Sequence, residues 1–581
     1  MKTNSPLSCL LLVLFCFSSV SAQEFDERYS DWPEDLKING QIIINHGLED
    51  FERVRPYLRG LVREKQVVWF DSVKLGQTAN ANPLMVEIRA GITNAGNFSR
   101  VESEVVPVEL LKTALKTADV VAITAISSSE GDSQLEAIAG LSSEITRFVA
   151  RGGVLVADAS WAECLSECYL PAVISDSDGE EAAWDPVAGM NQLPNCILRC
   201  VREEPHLTTK TLLQVLAKQP RAVGVLLEPV TMLVLAGRKI FCFGDGKTTF
   251  CLPATERLEA RVESITEQRS RRQPPWNSLI DLTEWRRDAI DRTLEPFPPE
   301  KPRIPVVKEG TLLIVGGGGM PEGLMDRFVE LAGGPEKAKL VYVPCSEADD
   351  VGEQQRTVQQ WQQMGVQHAT FIHTKDRRKA DNDDAFLEPL QDATGIWFGG
   401  GRQWNFADSY YGTTAHELMK TALLRGGVVG GSSAGASIQA RYLARATPIG
   451  NYRIMAPGYE RGGLGFISGV AIDQHFTQRG RQKDMTELMR CHPQLLGIGL
   501  DEATAIEVQK SQARVIGQGR VFFYDRTLPV IEGEPDYIAL PAGSVYDLAQ
   551  RAVIVDTTET ESETESETES ETESETEAEA K

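Results

Sequence analysis

After its first 22 residues, the 581-residue sequence contains no long hydrophobic run. About 20 consecutive apolar residues are needed to cross a bilayer, so no later segment is predicted to span a membrane. The one apolar run near the N-terminus, Cys9–Phe17, is also too short to do so. It follows Lys2 and precedes Val20 and Ala22 at the −3 and −1 positions of a cleavage site, which is the order of a secretory signal peptide. We therefore predict a signal peptide over residues 1–22 and a mature chain that is soluble and secreted or periplasmic.

Basic residues are scarce relative to acidic ones, with 59 Lys and Arg against 83 Asp and Glu and a net charge of −24. This balance argues against a nucleic acid partner, which requires concentrated positive charge. Part of the acidic excess lies in residues 557–581, where ESET repeats place Glu at every second position from Glu559 to Glu579. Self-repulsion and the lack of apolar residues prevent a packed core there. We predict a disordered acidic tail rather than a metal-binding strip.

The sequence has no C-x-x-C pair, the spacing that zinc sites often use. Two of the ten cysteines fall in the predicted signal peptide, and six of the remaining eight are closely spaced: Cys164/Cys168, Cys196/Cys200 and Cys242/Cys251. In an exported protein this spacing favours structural disulfides over a zinc site, so no metal is predicted. Cys345 and Cys491 have no near neighbour in the sequence and are predicted to be free.

The first half of the chain alternates apolar β-type runs with helical patterns, which indicates a parallel sheet with crossover helices. The runs are residues 41–46, 66–70, 119–126 and 152–160. We assign an N-terminal α/β domain to residues 30–295. The ends of its strands lack a Ser or Cys set between glycines, so this domain is predicted to be non-catalytic.

A proline-rich stretch, predicted to be a linker over residues 296–307, precedes a second set of alternating patterns. Its β-type runs are residues 311–319, 339–345, 369–374, 394–401, 426–431 and 495–502. The chain is therefore predicted to be α/β with two doubly wound parallel-sheet domains, the second over 308–530 and followed by a β-type extension over 531–556. The run GGGGMPEG, residues 316–323, favours a tight strand-to-helix turn over a dinucleotide site, because a lone glycine-rich turn is a weak signal. No cofactor is predicted.

Three serines lie within six positions of the glycine-rich segment 426–440, and Ser433 is central to a G-x-S-x-G motif, GSSAG. An apolar strand pattern precedes the motif and a helical pattern follows it, which is the context of a nucleophile elbow. Ser432 is expected to point away from the elbow and Ser437 to be buried in the helix packing. A purely structural glycine turn is the alternative.

A serine nucleophile needs a base, and the chain contains seven histidines. His475 follows the short apolar run GFISGVAI, where a strand should end. Catalytic residues of parallel sheets collect at that edge, so His475 is the leading candidate. Without the elbow, the same histidine would be read as structural.

Three segments together resemble the S51 family of serine peptidases, which includes cyanophycinase and aspartyl dipeptidase. They are GSSAGAS, DQHFTQRGR and LGIGLDEATAI, within a likeness that covers about residues 308–525. The second segment is nearer to cyanophycinase than to the dipeptidases. The resemblance implies a class I glutamine amidotransferase-like fold and hydrolysis of bonds involving acidic residues, without metal or cofactor. It places the nucleophile at Ser433, the base at His475 and the acid at Glu502, with Asp501 as the second choice for the acid.

The resemblance also implies the surroundings of the triad. The oxyanion hole is assigned to the Ala434 N–H and to Gly400 and Gly401. The implied substrate-binding residues are Gln403, Asp473, Gln474, Arg479 and Arg481. Solvated surface arginines are the alternative for the last two. Arg402 and Asp484 depart from the cyanophycinase pattern, since an aspartate and a further arginine are usual there.

These observations predict a secreted serine-type exopeptidase that hydrolyses β-aspartyl-arginine or related Asp-containing peptides through a Ser433-His475-Glu502 triad. The expected partner is a peptide or a cyanophycin-like polymer, and a homodimer stays open. A non-catalytic binding protein on the same fold and an esterase are the alternatives. The esterase is disfavoured because the acid precedes the histidine in α/β-hydrolases, whereas here the better acid follows it.

Overall fold

The computed structural model describes most of the chain between Asn39 and Val555. The described residues are 39–52, 54–72, 83–103, 106–124, 138–159, 161–169, 187–201, 209–266, 280–448 and 453–555. The predicted signal peptide and the predicted acidic tail lie outside them. The chain divides into two compact units, with a break between Glu295 and Pro296, beside the predicted linker.

The first unit has a mixed sheet of eight described strands in the order β14-β11-β10-β1-β5-β4-β2-β3. Strands β1 to β5 pair in parallel, and β10, β11 and β14 extend the sheet through antiparallel pairs. The strands are β1 Gln41–His46, β2 Val67–Ser72, β3 Phe98–Ser103, β4 Val120–Thr124, β5 Val154–Asp158, β6 Cys168–Tyr169, β7 Val187–Ala188, β8 Cys196–Cys200, β9 Val223–Leu227, β10 Thr231–Ala236, β11 Lys239–Gly244, β12 Thr248–Leu252, β13 Arg261–Ile265 and β14 Ile280–Asp281. The helices are Arg55–Val62, Pro83–Gly91, Val108–Thr117, Ser142–Ala150, Thr209–Lys218 and Leu282–Asp291, with short 3-10 helices at Ala95–Asn97 and Ala162–Leu165.

Hydrophobic periodicity explains these elements. The central strand β4 is buried at every position, as expected for a strand covered on both faces. The helix Ser142–Ala150 instead buries Ile145, Phe148 and Val149, which share one face at helical spacing. Strands β8, β9, β12 and β13 form a second, four-stranded sheet of this unit. The predicted α/β class with parallel strands is therefore confirmed, although antiparallel strands extend the sheet.

The second unit contains a sheet of nine described strands in the order β17-β16-β18-β19-β15-β23-β24-β27-β28 and a sheet of five in the order β20-β21-β22-β25-β26. The strands are β15 Val307–Val315, β16 Lys339–Val343, β17 His368–Phe371, β18 Gly395–Phe398, β19 Val428–Ser432, β20 Ala440–Tyr442, β21 Ile467–Gln474, β22 Leu496–Leu500, β23 Thr504–Lys510, β24 Gln512–Gly517, β25 Arg520–Asp525, β26 Ile538–Pro541, β27 Val545–Asp547 and β28 Ala552–Ile554. The helices are Leu324–Leu331, Arg356–Gln363, Arg377–Asn382, Asp384–Gln391, Trp404–Tyr410, Thr414–Leu424, Ala434–Ser437 and Gln482–Cys491, with 3-10 turns at Glu460–Gly462 and Thr477–Arg479.

The parallel-sheet α/β class predicted for this unit is confirmed, and its strands are divided between two sheets. Strands β15, β16, β17, β18 and β19 do form a parallel core, but β22 pairs with β21 in the five-stranded sheet instead. The next strand, β23, returns to the larger sheet and pairs antiparallel with β15. The two sheets are thus connected directly by the short segment between β22 and β23, residues 501–503.

The expected disulfides are absent among the described residues, whose eight cysteines are all thiols. Cys196 and Cys200 show one physical reason, because both lie on strand β8. Four residues of extended chain span about 13 Å, well beyond the Cα separation of about 7 Å that a disulfide tolerates. The C-x-x-x-C spacing here reflects two buried strand positions. No helix in the described part of the chain is long and apolar enough to cross a membrane.

An aromatic cluster supports the larger sheet of the second unit. Phe328, on the helix Leu324–Leu331, stacks on Trp361 with ring centroids 5.7 Å apart and meets the edge of Trp397 at 5.1 Å. All three side chains are buried, with Phe328 and Trp361 at 0% exposure. This cluster anchors the helix that follows the glycine-rich turn at the end of β15.

We expect Phe328→Ala to lower the free energy of unfolding by about 3–5 kcal/mol, because it removes a buried aromatic ring and leaves a cavity. Leu528→Ala is the control, since Leu528 is 57% exposed and its truncation should change stability by no more than about 0.5 kcal/mol. Urea denaturation of the full chain, followed by tryptophan fluorescence, measures both. Equal effects would contradict the assignment of Phe328 to the core.

Candidate active site

The predicted catalytic residues lie where strands of the second unit end. Ser433 directly follows β19, His475 directly follows β21, and Glu502 is the second residue after β22. The carboxyl ends of parallel strands are the usual location of sites in open α/β sheets. Residues separated in sequence by 42 and 27 positions are brought into hydrogen-bonding distance there.

The elbow around Ser433 is tightly packed. Ser433 has φ 57° and ψ −112°, a strained conformation for a residue with a side chain, and the short helix Ala434–Ser437 begins immediately after it. A Cβ atom at Gly431 would lie 2.3 Å from the Gly435 carbonyl oxygen, and one at Gly435 would lie 2.2 Å from that of Phe398. Both outer positions of the G-x-S-x-G motif therefore require glycine. Ser437 is fully buried, as expected from the sequence.

A continuous hydrogen-bond chain links the three side chains. The Ser433 Oγ lies 2.9 Å from His475 Nε2, and His475 Nδ1 lies 2.6 Å from Glu502 Oε1. The carboxylate accepts from Nδ1–H, which leaves Nε2 free to accept the serine proton. The arrangement contains a nucleophile, a base and an acid that orients the base.

The neighbouring acid, Asp501, has other contacts. Its Oδ1 accepts hydrogen bonds from Thr477 N at 3.0 Å and Thr477 Oγ1 at 2.6 Å, and its Oδ2 accepts one from Arg520 N at 3.2 Å. Asp501 therefore fixes the turn after His475, and Glu502 makes the contact with the imidazole. Sequence reasoning missed Gln478, whose Oε1 accepts a hydrogen bond from the Glu502 N–H at 3.0 Å. Its place in DQHFTQRGR, three residues after His475, was the available signal.

Burial is the main influence on the base. It lowers the pKa of His475 below the ordinary value of 6.5, because the cation is poorly solvated at a position only 7% exposed. The Glu502 hydrogen bond opposes this shift, and the positive charges of Arg479 and Arg481 add to it. The lowered pKa favours the neutral imidazole at neutral pH, as a general base requires.

The predicted oxyanion hole is next to the nucleophile. Ala434 is the first residue of the helix after Ser433, so its N–H is at the helix N-terminus. A Cβ atom at Gly400 would lie 3.6 Å from Ser433 Cβ, which places the loop after β18 close against the elbow. Gly401 has φ 152° and packs on Cys345, whose thiol donates to the Arg402 carbonyl at 3.0 Å. Contact of these groups with a substrate oxyanion stays a prediction.

Several predicted substrate-binding residues lie inside the protein. Asp473 is fully buried and accepts hydrogen bonds from Arg481 at 2.9 Å and from Arg445 at 2.8 Å. Arg481 also donates to the Gln474 carbonyl at 2.6 Å. The Gln403 amide donates to the carbonyls of Ala444 and Arg445, at 3.0 and 2.6 Å. These contacts connect the loop after β18 to the end of β21, and direct binding of substrate by these residues stays a prediction.

Arg479 differs from these residues because its side chain is exposed. Among the described residues, no carboxylate forms an ion pair with it, yet its charge influences His475.

The two residues that depart from the cyanophycinase pattern, Arg402 and Asp484, both have contacts within the protein. The Arg402 guanidinium lies 5.6 Å from the centre of the Trp404 ring, and Asp484 accepts from Arg445 at 2.7 Å. Arg479 differs from both, because its exposed side chain is a cation close enough to influence the base.

Sequence reasoning treated the glycine run 316–319 only as a turn, but it lies against the triad. A Cβ atom at Gly317 would lie 2.4 Å from His475 Cε1, and one at Gly318 would lie 2.3 Å from Glu502 Cδ. The signal in the sequence was its position at the carboxyl end of a central strand, the same edge as the elbow. Within the described ranges, no group of three or more His, Cys, Asp or Glu side chains is arranged to hold a metal ion.

Comparison with known proteins assigns this region to a family. Residues 312–516 match the model of peptidase family S51. The cyanophycinase of Geminocystis herdmanii is 29% identical over 204 residues, which cover 35% of this chain and 74% of that protein. The cyanophycinase of Trichormus variabilis is 26% identical over 223 residues, or 37% of this chain and 72% of the relative. A crystal structure of a peptidase from an acI-B1 Actinobacterium shares 23% identity over 41% of this chain and 97% of its own, with a TM-score of 0.32.

Residues 312–516 of the second unit are therefore similar to peptidase family S51, and this similarity indicates a serine-type peptidase. Its curated relatives define it further as cyanophycinase-like. The resemblance expected from the three sequence segments is thereby confirmed.

The lowered pKa of His475 makes a prediction about pH. The base works only when neutral, so kcat/KM should fall as the pH drops through the pKa of His475, below 6.5. Arg479→Gln removes a positive charge that disfavours the imidazolium, so it should raise this pKa and move the acid limb to higher pH. Arg479→Lys keeps the charge and should leave the limb unchanged. A profile that moves equally in both variants, or in neither, would contradict the electrostatic role of Arg479.

Proposed function

We propose that this chain is a secreted serine-type exopeptidase that hydrolyses β-aspartyl-arginine or related Asp-containing peptides. The observation that carries the proposal is the hydrogen-bond chain from Ser433 through His475 to Glu502. Its support comes from three properties together: the strained elbow at the nucleophile, the neutral base and the likeness to cyanophycinases.

In the proposed reaction, the Ser433 oxygen attacks the scissile carbonyl carbon while His475 Nε2 takes the hydroxyl proton. Glu502 accepts from Nδ1–H throughout and stabilises the imidazolium. When the tetrahedral intermediate collapses, His475 gives the proton to the leaving amine and an acyl-enzyme remains. His475 then takes a proton from water as the water oxygen attacks the ester carbonyl, and it returns that proton to the leaving Ser433 oxygen when the acid is released.

The oxyanion of the tetrahedral intermediate requires donors that are already in place. The Ala434 N–H is available at the start of the short helix Ala434–Ser437, directly after the nucleophile. The N–H groups of Gly400 and Gly401 supply the second donor in this proposal, supported by the close approach of Gly400 to the elbow.

The preference for acidic substrates is supported by Arg479. A guanidinium forms paired hydrogen bonds with a carboxylate, and this one is exposed beside the base. The α-carboxylate of a β-linked aspartyl residue is a group of that kind. Arg402 adds a second exposed positive charge, on the loop after β18. This charge gives no electrostatic attraction to a cationic leaving group such as arginine. Recognition in this proposal therefore depends on the aspartyl side of the bond.

Export is part of the proposal and depends on the sequence alone. The signal pattern of residues 1–22 predicts a mature chain beginning at Gln23. N-terminal sequencing of the protein from the exported fraction tests this, and a chain that begins at Met1 in that fraction would contradict it.

Ser433→Ala should reduce turnover by about 10⁴-fold or more while leaving the protein folded, because it removes the attacking oxygen. Ser432→Ala is the matched control, since this neighbour lies in β19 and has no role in the reaction. A fluorophosphonate should label the wild-type protein and the Ser432→Ala variant at Ser433, which intact-mass and peptide mapping detect. Labelling at Ser432, or near-normal turnover by Ser433→Ala, would contradict the proposal.

Substrate class is tested with purified mature protein on β-Asp-Arg, β-Asp-Lys and α-Asp peptides and a simple ester. We expect the β-aspartyl peptides to be cleaved most efficiently, and Arg479→Gln to raise their KM more than that of the ester. Preference for the ester would favour an esterase. Absence of both turnover and fluorophosphonate labelling would favour a non-catalytic binding protein.

A further inference from the structure

Three residues with side chains and left-handed backbones donate hydrogen bonds to one turn. Ser433, His475 and Ala503 have φ values of 57°, 49° and 50°, in a region that residues other than glycine rarely adopt. Their N–H groups bind three consecutive carbonyl oxygens: Ser433 to Val315 at 3.0 Å, His475 to Gly316 at 2.8 Å, and Ala503 to Gly317 at 2.8 Å. The Gly316 N–H in turn donates to the Thr504 carbonyl at 2.9 Å.

The same turn also limits the side chains of the base and the acid. Gly317, with φ 94°, leaves room only for the imidazole of His475, since a Cβ atom would lie 2.4 Å from its ring. Gly318, with φ 66°, faces the Glu502 carboxylate, which a Cβ atom would approach to 2.3 Å at both Cδ and Oε2. The turn thus contacts the base and the acid, and Val315, the last residue of β15 before it, binds the backbone of the nucleophile.

We propose that the glycine turn Gly316–Gly318 positions the base and the acid of the peptidase site, and that Gly318 is the positioning residue for Glu502. This inference rests on the proposed function, since it explains how the proposed triad is aligned. The turn touches the groups that act on substrate and acts only through them.

Gly318 is the best position for a test because the change should be local. The Glu502 side chain is 36% exposed and can swing towards solvent, whereas the buried ring beside Gly317 cannot move so easily. A methyl group at residue 318 should therefore displace the carboxylate from His475 Nδ1 and leave the fold intact.

The chain offers two matched controls in the same segment. Gly323 has φ 71°, and an added Cβ atom there would meet nothing within 4 Å, so Gly323→Ala introduces similar backbone strain without the clash. Gly319 directly follows the turn, and its Cβ atom would be in ordinary contact with Ala503 Cβ at 3.5 Å. Gly319→Ala thus adds a methyl group beside the turn without touching the acid.

The first measurement is the rate at which a fluorophosphonate labels Ser433 in the full chain, with kcat and KM on the best β-aspartyl peptide. Gly318→Ala should lower the labelling rate and kcat by about 10- to 100-fold, the cost expected for misplacing a catalytic group by about 1 Å. KM should change little. In both control variants the labelling rate and kcat should stay within about twofold of the wild-type values. The thermal unfolding midpoints of Gly318→Ala and Gly323→Ala should be equal.

A double-mutant cycle separates positioning from general damage. In a Glu502→Ala background the carboxylate that would clash is gone, so Gly318→Ala should cause no further loss. Additive losses would mean that residue 318 acts by another route and would overturn the proposal.

An NMR titration of the His475 imidazole provides a readout that needs no turnover. The Glu502 hydrogen bond raises the pKa of His475, so its loss in Gly318→Ala should lower that pKa further, while Gly323→Ala should leave it unchanged. The His475 signal is assigned by comparison with a His475→Gln sample. If Ser433 were never labelled, the proposed function would fail, but this titration would still decide the role of the turn. Identical titrations in Gly318→Ala and Gly323→Ala would overturn the inference.

Discussion

The site depends on holding three unfavourable backbone conformations next to one another. A residue with a side chain in a sparsely populated φ/ψ region costs about 1–3 kcal/mol, and Ser433, His475 and Ala503 all have left-handed φ values. A typical hydrogen bond contributes about 0.5–1.5 kcal/mol net, so the three bonds to the turn after β15 offset only part of that cost. The remainder must come from the packing around them, such as the close contact of Gly435 with Phe398.

The division of the second unit into two sheets explains why this turn matters. Ser433 follows a strand of the nine-stranded sheet, whereas His475 and Glu502 follow strands of the five-stranded sheet. No single sheet therefore fixes the distance between nucleophile and base. The end of β15 and the turn that follows it bind residues that follow strands of both sheets, through Val315 on one side and Gly316 and Gly317 on the other, so this segment sets the relative position of the two edges.

The sequence predicted the parts of this site that have local signatures. A strand, small residues and a helix around Ser433 identify the elbow, and a strand end before His475 identifies the base. The burial of Arg481 could not be predicted, because its partner Asp473, which also accepts a hydrogen bond from Arg445, is recognisable only once the strands are placed. The pairing of β22 with β21 depends equally on long-range contacts. The disulfide prediction failed for a related reason. Cysteines that are close in sequence can be far apart in space when they lie on one extended strand, as Cys196 and Cys200 do on β8.

The attachment of all three strained residues to one turn also bears on how such a site can change during evolution. The separations of 42 and 27 residues between nucleophile, base and acid have no chemical meaning of their own, since the geometry is set by hydrogen bonds to residues 315–317. Insertions and deletions between these residues can be tolerated as long as the three ends return to the same carbonyl groups. The glycine run is different, because it offers almost no room for a side chain at Gly317 or Gly318. The lengths of the intervening loops can therefore vary. The glycines of the turn cannot, although the turn contains no catalytic residue.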